Sequence, residues 1–283
     1  MNLVMFFSQF NHLLTFYIVF PFIFLLSIYL TIKLRFLQLR KMKLSLLQLF
    51  KKTKEGPGNI SQYEAVSTVI AGNLGTGNIS GMAIALSMGG PGSLVWMWVM
   101  AFLGSIIQFS SSFLGIKYRE KTPQGDYVGG PMYYLKKGLG LKKASAFFAI
   151  SSLLGAVLVG NFAQVNSAIL PMQALGLSPL LCGFLIMILA GLVTLGGLER
   201  VSKVAASVVP AMALVYIGSG LVILFMYKTQ LLPALALMLK SACSKSSLAG
   251  GALGYGITKA LSTGFERGIF ATDAGTGMVS VLQ

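Results

Sequence analysis

The stretch "AGNLGTGNISG", Ala71–Gly81, puts four glycines into eleven residues of an otherwise apolar region. Glycine in a helix interior costs about 1 kcal/mol relative to alanine. Glycines this dense mark a helix that is interrupted or closely approached. Gly77 and Gly81 also form a G-x-x-x-G pair, the spacing that lets membrane helices pack closely. "GTGNISG" superficially matches a dinucleotide-binding loop. The strand that must precede such a loop is missing, so that reading is discarded.

Composition separates the remaining readings. The chain has 283 residues, 55% hydrophobic and 10% charged, with mean hydropathy +0.79. Soluble domains carry about 25% charged residues. Several apolar runs reach the roughly 20 residues needed to cross a bilayer. These features predict an all-α integral membrane protein. The formal net charge of +15 is not spread as in a nucleic-acid binder. Eight Lys/Arg fall in Lys33–Lys54 and seven in Lys117–Lys143, 15 of the 22 in the chain. Basic residues concentrated in alternate loops mark the cytoplasmic side. This predicts an N-terminus outside, a basic arm inside and no nucleic-acid partner. No Lys or Arg precedes the first span, and its apolar run is too long for a cleaved leader. Cys182 and Cys243 fit no metal or redox spacing and read as packing residues, and His12 reads as an interfacial side chain.

About seven spans are predicted. They run near Leu13–Ile32, Ser61–Met88, Ser93–Ile116, Ala144–Leu170, Leu180–Gly197 and Val204–Tyr227, with a seventh from Leu248 onward. An amphipathic helix is expected in the basic arm, and a loop with a short surface helix in Thr122–Lys143. Pro171–Pro179 and the stretch up to Ser247 are expected as outer loops, and "LERVSK" as an inner turn.

In lipid, unwound backbone survives only where it faces protein, water or a ligand. A break over Gly75, Thr76, Gly77 and Asn78 would expose N–H groups suited to a carboxylate and carbonyls suited to a small cation. A second glycine-rich stretch, "GFERGIFATDAGTGM", carries Glu266, Arg267 and Asp273, ionisable groups that are costly at membrane depth. The two interruptions lie five spans apart, which matches two inverted five-helix repeats after one extra helix.

"GNLGTGNISG", "GGPGSLVWMWVMAFLG", "KYREK", "GDYVGGPMYYLKKGLG" and "RGIFATDAG" together resemble the sodium:alanine symporter family, from about Gly58 to the C-terminus. The resemblance implies a leucine-transporter-like inverted-repeat fold, carrying the first repeat plus the start of the second. Residues 1–58 would be the extra helix and basic arm, 59–241 the first repeat, and 242–283 the start of the second. The implied activity is cation-coupled symport, with sodium as coupling ion, of a small neutral amino acid such as alanine or glycine. No enzyme chemistry and no cofactor are implied. The implied location is the bacterial inner membrane, with the lipid bilayer as partner. Gly75, Thr76, Gly77, Asn78, Phe270, Ala271, Thr272 and Asp273 would bind substrate, and carbonyls near Ala71 and Leu74 would bind the cation. Trp96 and Trp98 read as packing or interfacial residues.

This chain departs from the family pattern at Glu64, where Gln is usual, and at "FATDAG", where F-S-N-E-A-G is usual. Family members also continue beyond this point. The implication is a C-terminally truncated chain that transports poorly or not at all alone, or one completed by a second polypeptide. Two other classes stay open. One is a non-transporting membrane fragment or half of a split transporter. The other is a channel-like pore lined by Asn161, Gln164 and Asn166, whose flux would neither saturate nor couple.

Overall fold

The structure is a computed structural model. It describes residues 3–49, 61–73, 75–123, 125, 127–243, 263–264, 267–269, 272 and 276–277. The chain divides into two compact units. One comprises Met1–Met42, Gly81–Ser110 and Ile223–Thr276; the other comprises Lys43–Ser80, Ser111–Val222 and Gly277–Gln283.

The described chain is almost entirely helical. Helix α1 (Leu3–Leu14), a π-helical stretch (Thr15–Val19) and α2 (Phe20–Lys33) run on from one another, so the first helical run begins earlier than expected. The basic arm does not form one amphipathic helix. It forms α3 (Leu37–Arg40) and α4 (Met42–Leu49), preceded by left-handed backbone at Arg35 and Phe36. Met42 and Leu44 lie about 200° apart around α4, so its leucines surround the helix instead of forming a stripe.

The next helices are α5 (Gln62–Asn73), α6 (Thr76–Gly89) and α7 (Gly92–Lys117). Gly90, at φ +71°, ends α6, and the buried Ser93 hydroxyl donates to the Ala85 and Gly90 carbonyls, fixing the "GGPG" reversal. A two-residue hairpin follows, β1 (Glu120–Lys121) antiparallel to β2 (Tyr127–Val128), with Glu120 opposite Val128. The hairpin was not expected. The short surface helix was expected, and is α8 (Pro131–Leu139).

The expected fourth span is α9 (Lys142–Gly155), a π-helical stretch (Ala156–Ala163) and α10 (Gln164–Ala174). Pro171 lies inside α10, so the expected outer loop starts later; proline is tolerated in membrane helices, where neighbours satisfy the freed carbonyl. After α11 (Pro179–Thr194), α12 runs Gly197–Met226 and takes in all of "LERVSK", leaving the turn to Leu195 and Gly196. The expected outer stretch is a helix, α13 (Lys228–Cys243), because its Leu/Ala content outweighs Pro233.

Among the described residues, Tyr63–Gly89, Gly92–Lys117 and Gly197–Met226 are long and apolar enough to cross a membrane; Tyr17–Lys33 and Pro179–Thr194 are shorter apolar helices. Leu214, Val215 and Phe225 on α12 are each more than 70% exposed. So much exposed apolar surface suits hydrocarbon and not water. The expected seventh span lies largely outside the described residues.

In the first unit, Ile23 of α2 packs with Met100, Ile106 and Ile107 of α7, flanked by Phe20, Phe24, Trp96 and Ile269. Trp96 is therefore a packing residue, while Trp98 is half exposed. In the second unit, the hairpin rests on α8. Glu120 pairs with Lys137 at 2.8 Å, and the Arg119 guanidinium lies 4.4 Å from the Tyr127 ring centre. The Lys137 hydrogen bond holds the Glu120 carboxyl below the usual carboxylate range. Its contribution is therefore present above the unfolded-state pKa and lost as pH falls through the lowered folded-state value. The thermal midpoints of the wild type and Glu120→Gln should differ slightly at pH 7 and converge well below about pH 4.

Candidate functional site

Helix α5 opens with a reciprocal cap. Glu64 Oε2 accepts from the Ser61 N–H at 2.7 Å and the Ser61 hydroxyl at 2.9 Å, and the Glu64 N–H donates to Ser61 Oγ at 3.2 Å. This S-x-x-E capping box accounts for Glu64 at a position where the family usually carries Gln, since either side chain can close the box. The motif was legible in the sequence and had not been recognised there.

The interruption is narrower than expected. Helix α5 ends at Asn73, Gly75 lies in a bend, and Thr76, Gly77 and Asn78 already form the first turn of α6. The Asn78 side-chain amide donates to the Asn73 carbonyl across the break, and the Asn78 N–H donates to the Gly75 carbonyl at 3.2 Å. Asn78 thus ties the two half-helices together and satisfies one of the carbonyls left open at the end of α5. Ala71 sits in the last turn of α5, where carbonyls lack helical partners. The N-terminus of α6, with its open N–H groups, begins directly after the bend.

One neighbour of the break reads from sequence only as a pore-lining amide. Gln164 begins α10 at the end of the π-helical stretch. A Cβ placed on Gly75 would lie 2.8 Å from Gln164 Nε2 and 3.0 Å from Oε1. The Gln164 amide therefore lies directly over the glycine. A side chain at Gly75 would have to displace this amide, while the methyl group of an alanine at Gly81 would meet only Arg267 Cδ at 4.0 Å. Close packing explains the first of these glycines and not the second. π-Helical insertions recur at functional sites because they redirect side chains and free carbonyls.

Leu74, Phe270, Ala271 and Asp273 lie outside the described residues. Thr272 is helical, and its hydroxyl donates to the Gly268 carbonyl, four residues earlier, at 2.7 Å. It belongs to the first unit, while Gly75, Thr76, Gly77, Asn78 and Gln164 belong to the second. Among the described residues, no group of three or more His, Cys, Asp or Glu could hold a metal ion.

The profile of the sodium:alanine symporter family matches residues 1–282. An uncharacterized transporter of Haemophilus influenzae is 37% identical over 266 residues, covering 92% of this chain and 58% of the relative. The sodium/alanine symporter AgcS of Methanococcus maripaludis is 38% identical over 265 residues, covering 90% of this chain and 57% of AgcS. GlnT of Bacillus subtilis, named a probable sodium/glutamine symporter, is 38% identical over 257 residues, covering 89% and 52%. The chain thus spans about half the length of the curated relatives it matches. With apolar helices fit to cross a bilayer and relatives that are carriers and not enzymes, the chain belongs to the sodium:alanine symporter family.

Proposed function

We propose that the chain forms part of a carrier that couples a cation gradient, with sodium as the ion, to import of a small neutral amino acid such as alanine or glycine across the bacterial inner membrane. The observation that carries this is the interrupted helix at Gly75 in a chain of this family. The substrate carboxylate is assigned to the backbone N–H groups of Thr76 and Gly77 at the start of α6, where Asn78, its own N–H donated to the Gly75 carbonyl, holds the turn. The cation is assigned to backbone carbonyls near Ala71, in the last turn of α5, and Leu74. The segment Phe270–Asp273 is assigned the substrate ammonium and side chain, in the arrangement of transporters with inverted repeats. Lys/Arg asymmetry supports an N-terminus outside. The relatives' names include both alanine and glutamine, and side-chain selection is assigned to the "FATDAG" segment, where this chain departs from the family pattern.

The test is uptake of labelled alanine into proteoliposomes under an inward sodium gradient. The chain is assayed alone and co-expressed with the portion of AgcS beyond the matched region. Saturable, sodium-dependent uptake in either arm supports the reading. Non-saturating flux that persists without sodium would establish a pore. No uptake of alanine, glycine or glutamine in either arm would sink the proposal.

A further inference from the structure

The sequence "KKGLGLKK", Lys136–Lys143, sets two leucines between two pairs of lysines, and the structure shows what this does. Helix α8 ends at Gly140, whose backbone is left-handed at φ +70°. The N–H groups of Gly140 and Leu141 both donate to the Leu135 carbonyl, so the turn is held shut. The first turn of α9 is bound to α8 as well, through the Ser145 hydroxyl on the Met132 carbonyl at 2.7 Å. Gly138 lies against the Tyr118 ring, where a Cβ would come within 3.1 Å. On this rigid corner Leu139 is 66% exposed and Leu141 50% exposed. All four flanking lysines are exposed. Glu120 is already committed to Lys137, and Lys136, Lys142 and Lys143 make no ion pair among the described residues.

Exposed leucines bracketed by lysines on a fixed turn suit a membrane surface. The apolar tips reach the acyl boundary while the ammonium groups meet phosphates. On α8, Met132, Leu135 and Leu139 share one face, Lys136 lies at its edge, and Lys137 and Tyr134 lie on the other side. Nucleic acid would use the charge and leave the leucines in water. We propose that the α8–α9 corner is a binding site for anionic phospholipid headgroups, selecting them over zwitterionic ones through Lys136, Lys142 and Lys143. The site is independent of whether the chain transports.

The 283-residue chain is equilibrated in mixed micelles containing equal phosphatidylglycerol and phosphatidylcholine, and retained lipid is counted by native mass spectrometry. A lysine at an anionic surface contributes about five-fold in binding. The wild type should retain phosphatidylglycerol preferentially. The variant K136Q/K142Q/K143Q should lose about ten-fold or more of that preference at unchanged helical content. K136R/K142R/K143R should keep it, and L139S/L141S should lower retention of both lipids. Short-chain phosphatidylglycerol should compete and inorganic phosphate should not. An unchanged preference in the triple glutamine variant would overturn the site. So would loss of preference in the arginine variant, full retention by the leucine variant, or equal competition by inorganic phosphate. All side chains changed are exposed, so the core is untouched.

Discussion

Gly264→Ala is expected to destabilise the first unit by about 1–3 kcal/mol, the usual cost of forcing atoms into a packed interior. A Cβ on Gly264 would lie 2.5 Å from the Ser93 carbonyl oxygen and 2.7 Å from Trp96 Cβ. Both are backbone or backbone-anchored atoms of α7 and cannot swing aside. Four residues on, a Cβ at Gly268 would lie 2.8 Å from Met100 Cβ. The two glycines thus let the Thr263–Ile269 region approach α7 along Ser93, Trp96 and Met100, as small residues do between membrane helices. Gly268→Ala should cost less than Gly264→Ala, because one atom, Met100 Cβ at 2.8 Å, is met there, against two closer atoms at Gly264. Thermal unfolding in detergent measures both. A Gly264→Ala midpoint equal to wild type would show that the two segments are not in close contact.

Gly75→Ala is expected to act on the site more than on stability. The atom it meets is the end of the flexible Gln164 side chain, so the methyl group displaces the amide and the backbone stays in place. The stability cost should fall at the lower end of about 1–3 kcal/mol. In the background Gln164→Ala the same substitution should cost almost nothing, giving a coupling of roughly 0.5–3 kcal/mol in a double-mutant cycle. In the uptake assay, Gly75→Ala should raise the KM for alanine, and Gln164→Ala alone should separate an effect on the amide from one on the backbone. Additive stability effects would remove Gln164 from the break. An unchanged KM in Gly75→Ala, in an arm that transports, would remove the break from the substrate path.

Much of the architecture was legible locally. Apolar run length and hydropathy pointed to membrane helices, and α7 matched its expected span within about a residue at each end because glycine and lysine punctuate it. The glycines of Ala71–Gly81 located the break because backbone cost is a local property. Errors arose where a residue with a strong local meaning is overruled by its surroundings. Pro171 and Pro233 read as loop signals, yet both sit inside helices. For Pro171, keeping the other backbone bonds of a membrane helix outweighs the one that proline removes, and for Pro233 the Leu/Ala content of α13 carries the helix through. The basic arm read as one amphipathic helix, while left-handed backbone at Arg35 and Phe36 divides it from α2.

The sequence alone determined the membrane setting, the family, the place of the interruption and the charge asymmetry, because each is set by composition or by consecutive residues. The tertiary structure decided which glycines are needed. A larger side chain would meet Gln164 at Gly75, Ser93 with Trp96 at Gly264, and Met100 at Gly268, partners 89 to 171 residues away. Gly81 meets no such obstruction. A glycine's backbone cost is written in its own position, but the space denied to a Cβ belongs to whichever segment packs against it.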